Sequence, residues 1–397
     1  MRHSTVLVAS AGAALVLSAS AFAQSADQVR AYEGELLADS AGRTSLLGAA
    51  NGNGVKVGGQ VQFRFIANGR DDVPAPDEDF TSGFQTRRTK IWVDANVTEE
   101  WSAKIVGAFS RSNGNFVLED VIAKYKANDN TDVQFGQFKL PMLREESVSS
   151  TSQLAADRSP MNATFTQGRS QGIMLTHTAD DFRVFFAFSD GLNTANTEFN
   201  SMAEADWAFT GRGEYKWAGD WKQFRDFTSF QNSENAGMVG VAAHYQGGGS
   251  TGGPTADFDV IQLTADVSFE GNGWNAFGAV VWRNTDPGSG GDSFDDIGVL
   301  VQGGWFMNAT WELFGRFDAV IADGDRPGDP DDFYTITAGV NHYLIENSHA
   351  AKVTVDLQYF LDAQADGIVA ANPGIGLLGS GEDGQWALRG QLQLVLP

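Results

Sequence analysis

The sequence predicts an all-β chain: a transmembrane antiparallel β-barrel of 16 strands with a short N-terminal helix. Three observations carry this. From Val55 onward, runs of period-two alternation recur with turn residues between them. Most are about 9–13 residues long, longer than ordinary globular strands and close to what a tilted strand needs to cross a bilayer. The connections tend to alternate long and short, as tight periplasmic turns and longer external loops do. An aromatic-packed β-sandwich is the competing reading, and it accounts for neither feature.

The elements follow in order. Residues 1–23, MRHSTVLVASAGAALVLSASAFA, read as a signal peptide. Arg2 and His3 give a positive start, Val6 to Leu17 an apolar middle, and Ala21-Phe22-Ala23 a small-residue cleavage site. The apolar middle is short for a membrane anchor. Residues 24–54 read as a short periplasmic helical segment and linker. Val29, Tyr32 and Leu36 sit at helical spacing, and Asn51-Gly-Asn-Gly54 ends the pattern.

Residues 55–397 make the barrel. Strands are expected at 55–66, 85–97, 101–111, 116–126, 131–138, 169–178, 182–190, 206–217, 237–247, 258–269, 273–283, 295–307, 310–321, 332–344, 351–361 and 384–396. The long connections include 67–84, 139–168, 191–205, 284–294 and 362–383. The short ones include Glu99-Glu100, Asp180-Asp181 and Gly271-Asn272. Two break the rule: 112–115 is short where a long loop is due, and 218–236 is long where a turn is due.

Each strand should have a lipid face and a water face, because an Arg or Lys facing lipid at mid-membrane costs about 2–4 kcal/mol. In the first strand Val57, Gly59, Val61, Phe63 and Phe65 alternate with Lys56, Gly58, Gln60, Gln62 and Arg64. In the last, Leu388, Leu392, Leu394 and Leu396 alternate with Arg389, Gln391 and Gln393, so the two ends can pair and close the sheet. In the second, Ile91, Val93, Ala95 and Val97 face lipid while Arg88, Lys90, Asp94 and Asn96 face the lumen. Trp92 is the misfit, an aromatic on the inward row. Strict alternation points Arg87 outward, to the membrane rim. Trp101, Trp207, Trp217, Trp274, Trp282, Trp305, Trp311 and Tyr334 cluster near strand ends, as interfacial girdles would.

The absence of cysteine excludes disulfides, thiolate catalysis and Cys-ligated zinc. A formal charge of −23 argues against a nucleic-acid partner. Apart from the signal, only His177, His244, His342 and His349 remain, without a nucleophile motif or a metal-ligating pair, so no enzyme, metal or cofactor is expected. The acidic run from Asp323 to Asp332 places Pro327 at a ligand position and lacks a closing glutamate, so it reads as a solvated external loop. Residues 247–253 read as a flexible glycine-rich tip.

The expected lumen carries Arg64, Arg88, Lys90, Lys104, Lys124, Arg316 and Arg389 as pore-lining, anion-binding cations, and Asp94, Asp120, Glu312 and Asp318 as acids. The loop 139–168 is the candidate constriction, with Lys139, Arg144, Glu145, Glu146, Asp157 and Arg158. Opposed charges across a narrow passage set ion preference, and Arg pairs can hold phosphate or carboxylate bidentately. The competing reading of the same charges is a set of salt bridges bracing the wall.

Several stretches resemble the phosphate-selective porin O/P family: FQTRRTKIWVDANVTEEWSAKI (84–105), LEDVIAKYK (118–126), VQFGQFKLPMLREE (133–146), Asp157-Arg158, ATWELFGRFDAV (309–320) and TAGVNHYLIENSHAAKVTVDLQYF (337–360). The resemblance implies a 16-stranded outer-membrane porin, usually a trimer of separate pores. It assigns family positions to Arg87, Arg88 and Asp120, and to a loop serine pair, Ser149 and Ser150. The chain departs from the pattern at Gln60, where an arginine often stands, and at Glu145-Glu146, acidic where phosphate-selective members carry lysine. The function expected is passive diffusion of small hydrophilic solutes or inorganic anions across the outer membrane of a diderm bacterium, as a homotrimer among lipid and lipopolysaccharide. The finer expectation is anion or phosphate preference through lumen Arg and Lys. The alternative function is a structural or wall-tethering barrel.

Overall fold

The computed structural model describes residues 54–71, 73, 77–248, 258–288 and 291–396. The expected signal peptide, N-terminal helix and most of the glycine-rich tip lie outside these residues. Sixteen strands form one closed antiparallel barrel, each paired with its sequence neighbours and the last with the first. They are β1 Val55–Gly69, β2 Phe80–Asn96, β3 Trp101–Phe109, β4 Phe116–Asn128, β5 Thr131–Lys139, β6 Arg169–Thr178, β7 Phe182–Ser189 and β8 Trp207–Ala218. There follow β9 Ala236–Gly247, β10 Asp259–Gly271, β11 Trp274–Asp286, β12 Phe294–Phe306, β13 Trp311–Ile321, β14 Phe333–Tyr343, β15 Ala351–Phe360 and β16 Trp386–Leu396. Closure runs in register from Gly59 opposite Leu396 to Gly69 opposite Trp386.

The outer face is apolar, as alternation requires. Phe63, Ile91, Ile105, Val241, Val301, Leu392 and Leu394 are exposed on it. Trp101, Trp207, Trp217, Trp274, Trp305 and Trp311 are exposed at strand ends. At the rims some indoles lie over a glycine of the neighbouring strand. Trp386 covers its partner Gly69 so closely that a Cβ there would stand 2.5 Å from the ring. The ring thus covers backbone that a glycine leaves bare.

The interior is unlike an open tube. Loop 140–168 folds inward and carries two short helices, α1 Arg144–Ser147 and α2 Pro160–Phe165. Proline opens α2, and the Ser159 side chain caps it by accepting from the Asn162 N–H at 2.9 Å. Leu154, Met161 and Phe165 of the loop pack against Phe277, Val281, Leu300, Phe314, Phe333 and Phe360, inward residues of β11–β15. Val369, Ile375 and Leu377 of the connection after β15 join the same cluster. One side of the lumen is therefore a dry core.

The same side chemistry binds the loop main chain. Lys352 donates to the Gln153 carbonyl at 2.8 Å, Asn341 to Leu154 at 3.0 Å, Arg316 to Asp157 at 2.8 Å and Gln262 to Phe165 at 3.0 Å. Asp356 and Asp318 accept from the N–H groups of Ala156 and Met161. An irregular segment inside a barrel has no ladder of its own, and these wall side chains satisfy it.

Gly298 of β12 faces α2, where an added Cβ would stand 2.6 Å from the Phe165 ring and 2.7 Å from Met161. Gly298→Leu is expected to leave the barrel folded and lift the loop, since overpacking costs about 1–3 kcal/mol. Limited proteolysis in detergent would show new cuts between residues 140 and 168. An unchanged digest would contradict this packing role.

The long connection 219–235 explains its misfit by turning inward too. Phe227 reaches the inner cluster, its ring centroid 4.8 Å from that of Phe277, and its N–H donates to the Ser152 carbonyl at 3.2 Å. A plain turn has no need of this length; a support for the inward loop does.

Candidate functional site

On the other side of the inward loop an opening of about 560 Å³ remains against β1–β6. Gln60, Arg88, Lys90, Trp92, Lys104 and Val106 line it from the first strands, and Glu119, Asp120, Lys139 and Arg169 from the next. Ser147, Ser149, Ser150, Thr151, Glu146 and Arg158 line it from the loop, and Val395 from β16. Six cations thus face three carboxylates.

Two arrangements order these charges. At the loop tip, Asp157 takes three guanidiniums. Arg64 donates at 3.0 Å, Arg87 at 2.6 Å and Arg88 at 2.7 Å. Burial pushes the Asp157 carboxyl up, but Arg87, Arg88 and Arg64 outweigh it and hold it well below the usual carboxylate range. One negative charge thus anchors three positive ones, leaving local excess. Gln60 and Gln62 of β1 fix the same loop edge by donating to the Ser150 hydroxyl and carbonyl at 3.1 and 3.0 Å.

The second arrangement is a ladder of pairs along the opening. Lys90 pairs with Glu119, and Arg169 donates to Glu119 at 2.9 Å and Asp120 at 2.6 Å. Glu146 lies 3.0 Å from Lys139 and 3.3 Å from Arg158. Burial raises the Glu146 carboxyl, yet Arg158 and Lys139 bring it down to about 2. Lys104 is the loosest cation, half exposed and 3.9 Å from Asp94.

Glu119 reaches this ladder because β4 is irregular. Val106 pairs with Asp120 and Gly107 with Leu118, so Glu119 is an extra residue in β4. A bulge puts two consecutive side chains on one face, and both accept from Arg169.

The structure brings nine of the nineteen expected site residues to the opening and places the others elsewhere. Arg88, Lys90, Lys104, Asp120, Lys139, Glu146, Ser149, Ser150 and Arg158 line the opening. Arg64, Arg316 and Arg389 do not: they are buried beneath the inward segments, where the sequence analysis expects pore wall. Arg64 and Arg389 donate to the Gly374 and Ile375 carbonyls, and Arg389 also grips Asp356 at 2.6 Å. Arg87 turns inward to Asp157 and away from the rim, because a buried carboxylate within reach outweighs strict alternation. Glu145 is turned into the loop root, accepting from the Ser159 N–H and hydroxyl, and does not face Arg88 or Lys90. Arg144 donates to Ser268 at 2.9 Å, away from the opening. Lys124 pairs with Asp132 at 2.7 Å and is likewise outside the lining. Glu312 is buried, accepting from Asn275, Asn341 and Tyr343, and Asp318 holds the loop backbone. The sequence reading missed Arg169 and Glu119. The Glu119-Asp120 doublet was the available signal for the bulge.

The acidic run from Asp323 holds backbone: Asp323 accepts from the N–H groups of Asp325 and Asp295. Among the described residues no group of His, Asp and Glu is arranged to hold a metal.

With this geometry in place the comparisons decide the family. The family model "Phosphate-selective porin O and P" matches residues 55–366. The chain belongs to this porin family. It is an outer-membrane porin, a channel built from the barrel just described. Among solved structures, an anion-selective porin from Comamonas acidovorans is similar at 14% identity and a TM-score of 0.59, over 86% of this chain and 99% of that one. OmpF of Salmonella typhi, in complex with daunomycin, matches at 12% identity and a TM-score of 0.56, over 86% and 98%. A trimer form of in-vitro folded OmpT of Vibrio cholerae matches at 14% identity and a TM-score of 0.54, over 85% and 99%. Identities this low speak for the fold alone. No curated protein matches by sequence.

The depressed carboxyls predict how the porin responds to acid. A carboxyl lowered by the docked loop supports docking fully above its ordinary value of about 4. That support is lost as pH falls through the docked value, which for Glu146 is about 2. As Glu146 and Asp157 take up protons, single-channel conductance is expected to change between about pH 4 and 2. Unchanged conductance across that window would contradict the role of these pairs.

Proposed function

We propose that the porin is a passive diffusion channel that prefers small hydrophilic anions. The observation that carries this is the lining of the opening, in which six cations meet three carboxylates. Rings of fixed charge bias the ions admitted to a narrow passage. The Ser150 hydroxyl, which accepts from Gln60, keeps its own proton to donate at the same edge. Anions that fit both include chloride, phosphate and short carboxylates. The total charge of −23 does not oppose this, because part of it stands on acidic residues outside the opening, among them Asp323, Asp329, Asp331, Asp332, Asp362 and Asp383. The porin works as a homotrimer, a reading supported by the family and by the OmpT structure described as a trimer form.

Reversal potential in a potassium chloride gradient tests the reading, repeated with potassium phosphate. The expected sign is that of anion preference, weakened in Arg88→Ala. Equal permeability of potassium and chloride in the wild-type porin would overturn it.

A further inference from the structure

Trp92 carries more than the wall. It stands on the inward row of β2 and lines the opening together with Lys90, Lys104 and Arg88. The rim tryptophans face lipid, and Trp92 does not. Its indole lies over Gly58 of β1, where a Cβ would stand 2.5 Å from the ring. The glycine lets the ring lie against the wall instead of projecting across the passage. Among the described residues its indole N–H makes no hydrogen bond, and no other ring contacts it. Val106 and Val395 supply further apolar surface at the same opening.

We infer that the opening favours organic anions with a flat apolar body, aromatic carboxylates above all, over aliphatic anions of similar charge. This rests on the anion-preferring reading. The carboxylate meets Lys90, Lys104 and Arg88, and the ring stacks on Trp92. An indole offers a large rigid face at low entropy cost, and its free N–H can donate to the same carboxylate. Nothing is bonded or broken; the gain is partition into the passage.

The probes are sodium benzoate and sodium acetate, each against sodium chloride under bi-ionic conditions. Although benzoate is the larger ion, its permeability relative to acetate should exceed one in the wild-type porin. In Trp92→Ala the benzoate-to-acetate ratio should fall about three- to tenfold, the range expected for one aromatic contact. Trp92→Phe should restore most of it, and Trp92→Leu, which keeps bulk without a π face, should not. An unchanged ratio in Trp92→Ala, full recovery in Trp92→Leu, or acetate ahead of benzoate in the wild type would each overturn the proposal. The potassium-to-chloride ratio, read in the same membranes, separates the two readings: cation preference in the wild type sinks the parent reading, and anion preference with no dependence on Trp92 sinks this one alone.

Discussion

Asp157→Asn is expected to raise single-channel conductance and its noise while leaving a folded barrel. The Asp157 carboxylate is 2% exposed and holds Arg64, Arg87 and Arg88 together. Removing one partner of a buried ion pair costs about 3–5 kcal/mol, because the remaining charges stay buried without compensation. Here three guanidiniums would be left facing one another. The inward loop would leave the β1–β2 wall, and the 560 Å³ opening would widen at its expense. Planar-bilayer recording measures the conductance, and heat-dependent gel migration confirms the barrel. Wild-type conductance and noise in the variant would mean that the three-arginine anchor does not set the opening.

Reversing two cations should reverse selectivity. In Lys90→Glu/Lys104→Glu the six cations and three carboxylates of the lining become four and five, a net negative edge. The reversal potential in a potassium chloride gradient should change sign. The effect should be largest at low salt, since screening acts over about 10 Å at 0.1 M. Lys124→Glu serves as the control, because Lys124 is paired with Asp132 outside the lining. If the control moved the potential as far as the double variant, total lumen charge and not this opening would set preference.

The barrel was legible because its grammar is local. A strand crossing lipid must alternate, and in β1 and β16 that alternation runs nearly unbroken, so both the faces and the closing pair could be read. The inward loop was legible as a long, charged connection after β5. The site was legible in part. Arg88, Lys90 and Lys104 stand where alternation put them, but alternation could not tell an inward side chain in water from one under a loop. Arg389 and Lys104 look alike as inward cations; one is fully buried on Asp356 and the other half exposed. The difference lies in which distant segment folds over them.

What the sequence determined by itself is the closed 16-stranded antiparallel barrel, its apolar outer face and the inward row of each regular strand. Those follow from the cost of placing charge and unpaired backbone in lipid, which every strand meets alone. What only the tertiary structure decided is the shape and charge of the passage. The loop at 140–168 and the connections 219–235 and 361–385 fill one side of the lumen, the bulge at Glu119 adds a carboxylate, and Asp157 draws Arg87 inward. A buried charge is tolerable only beside its partner, and these partners come from segments far apart in the chain. Their meeting is a property of the folded barrel and of no single strand.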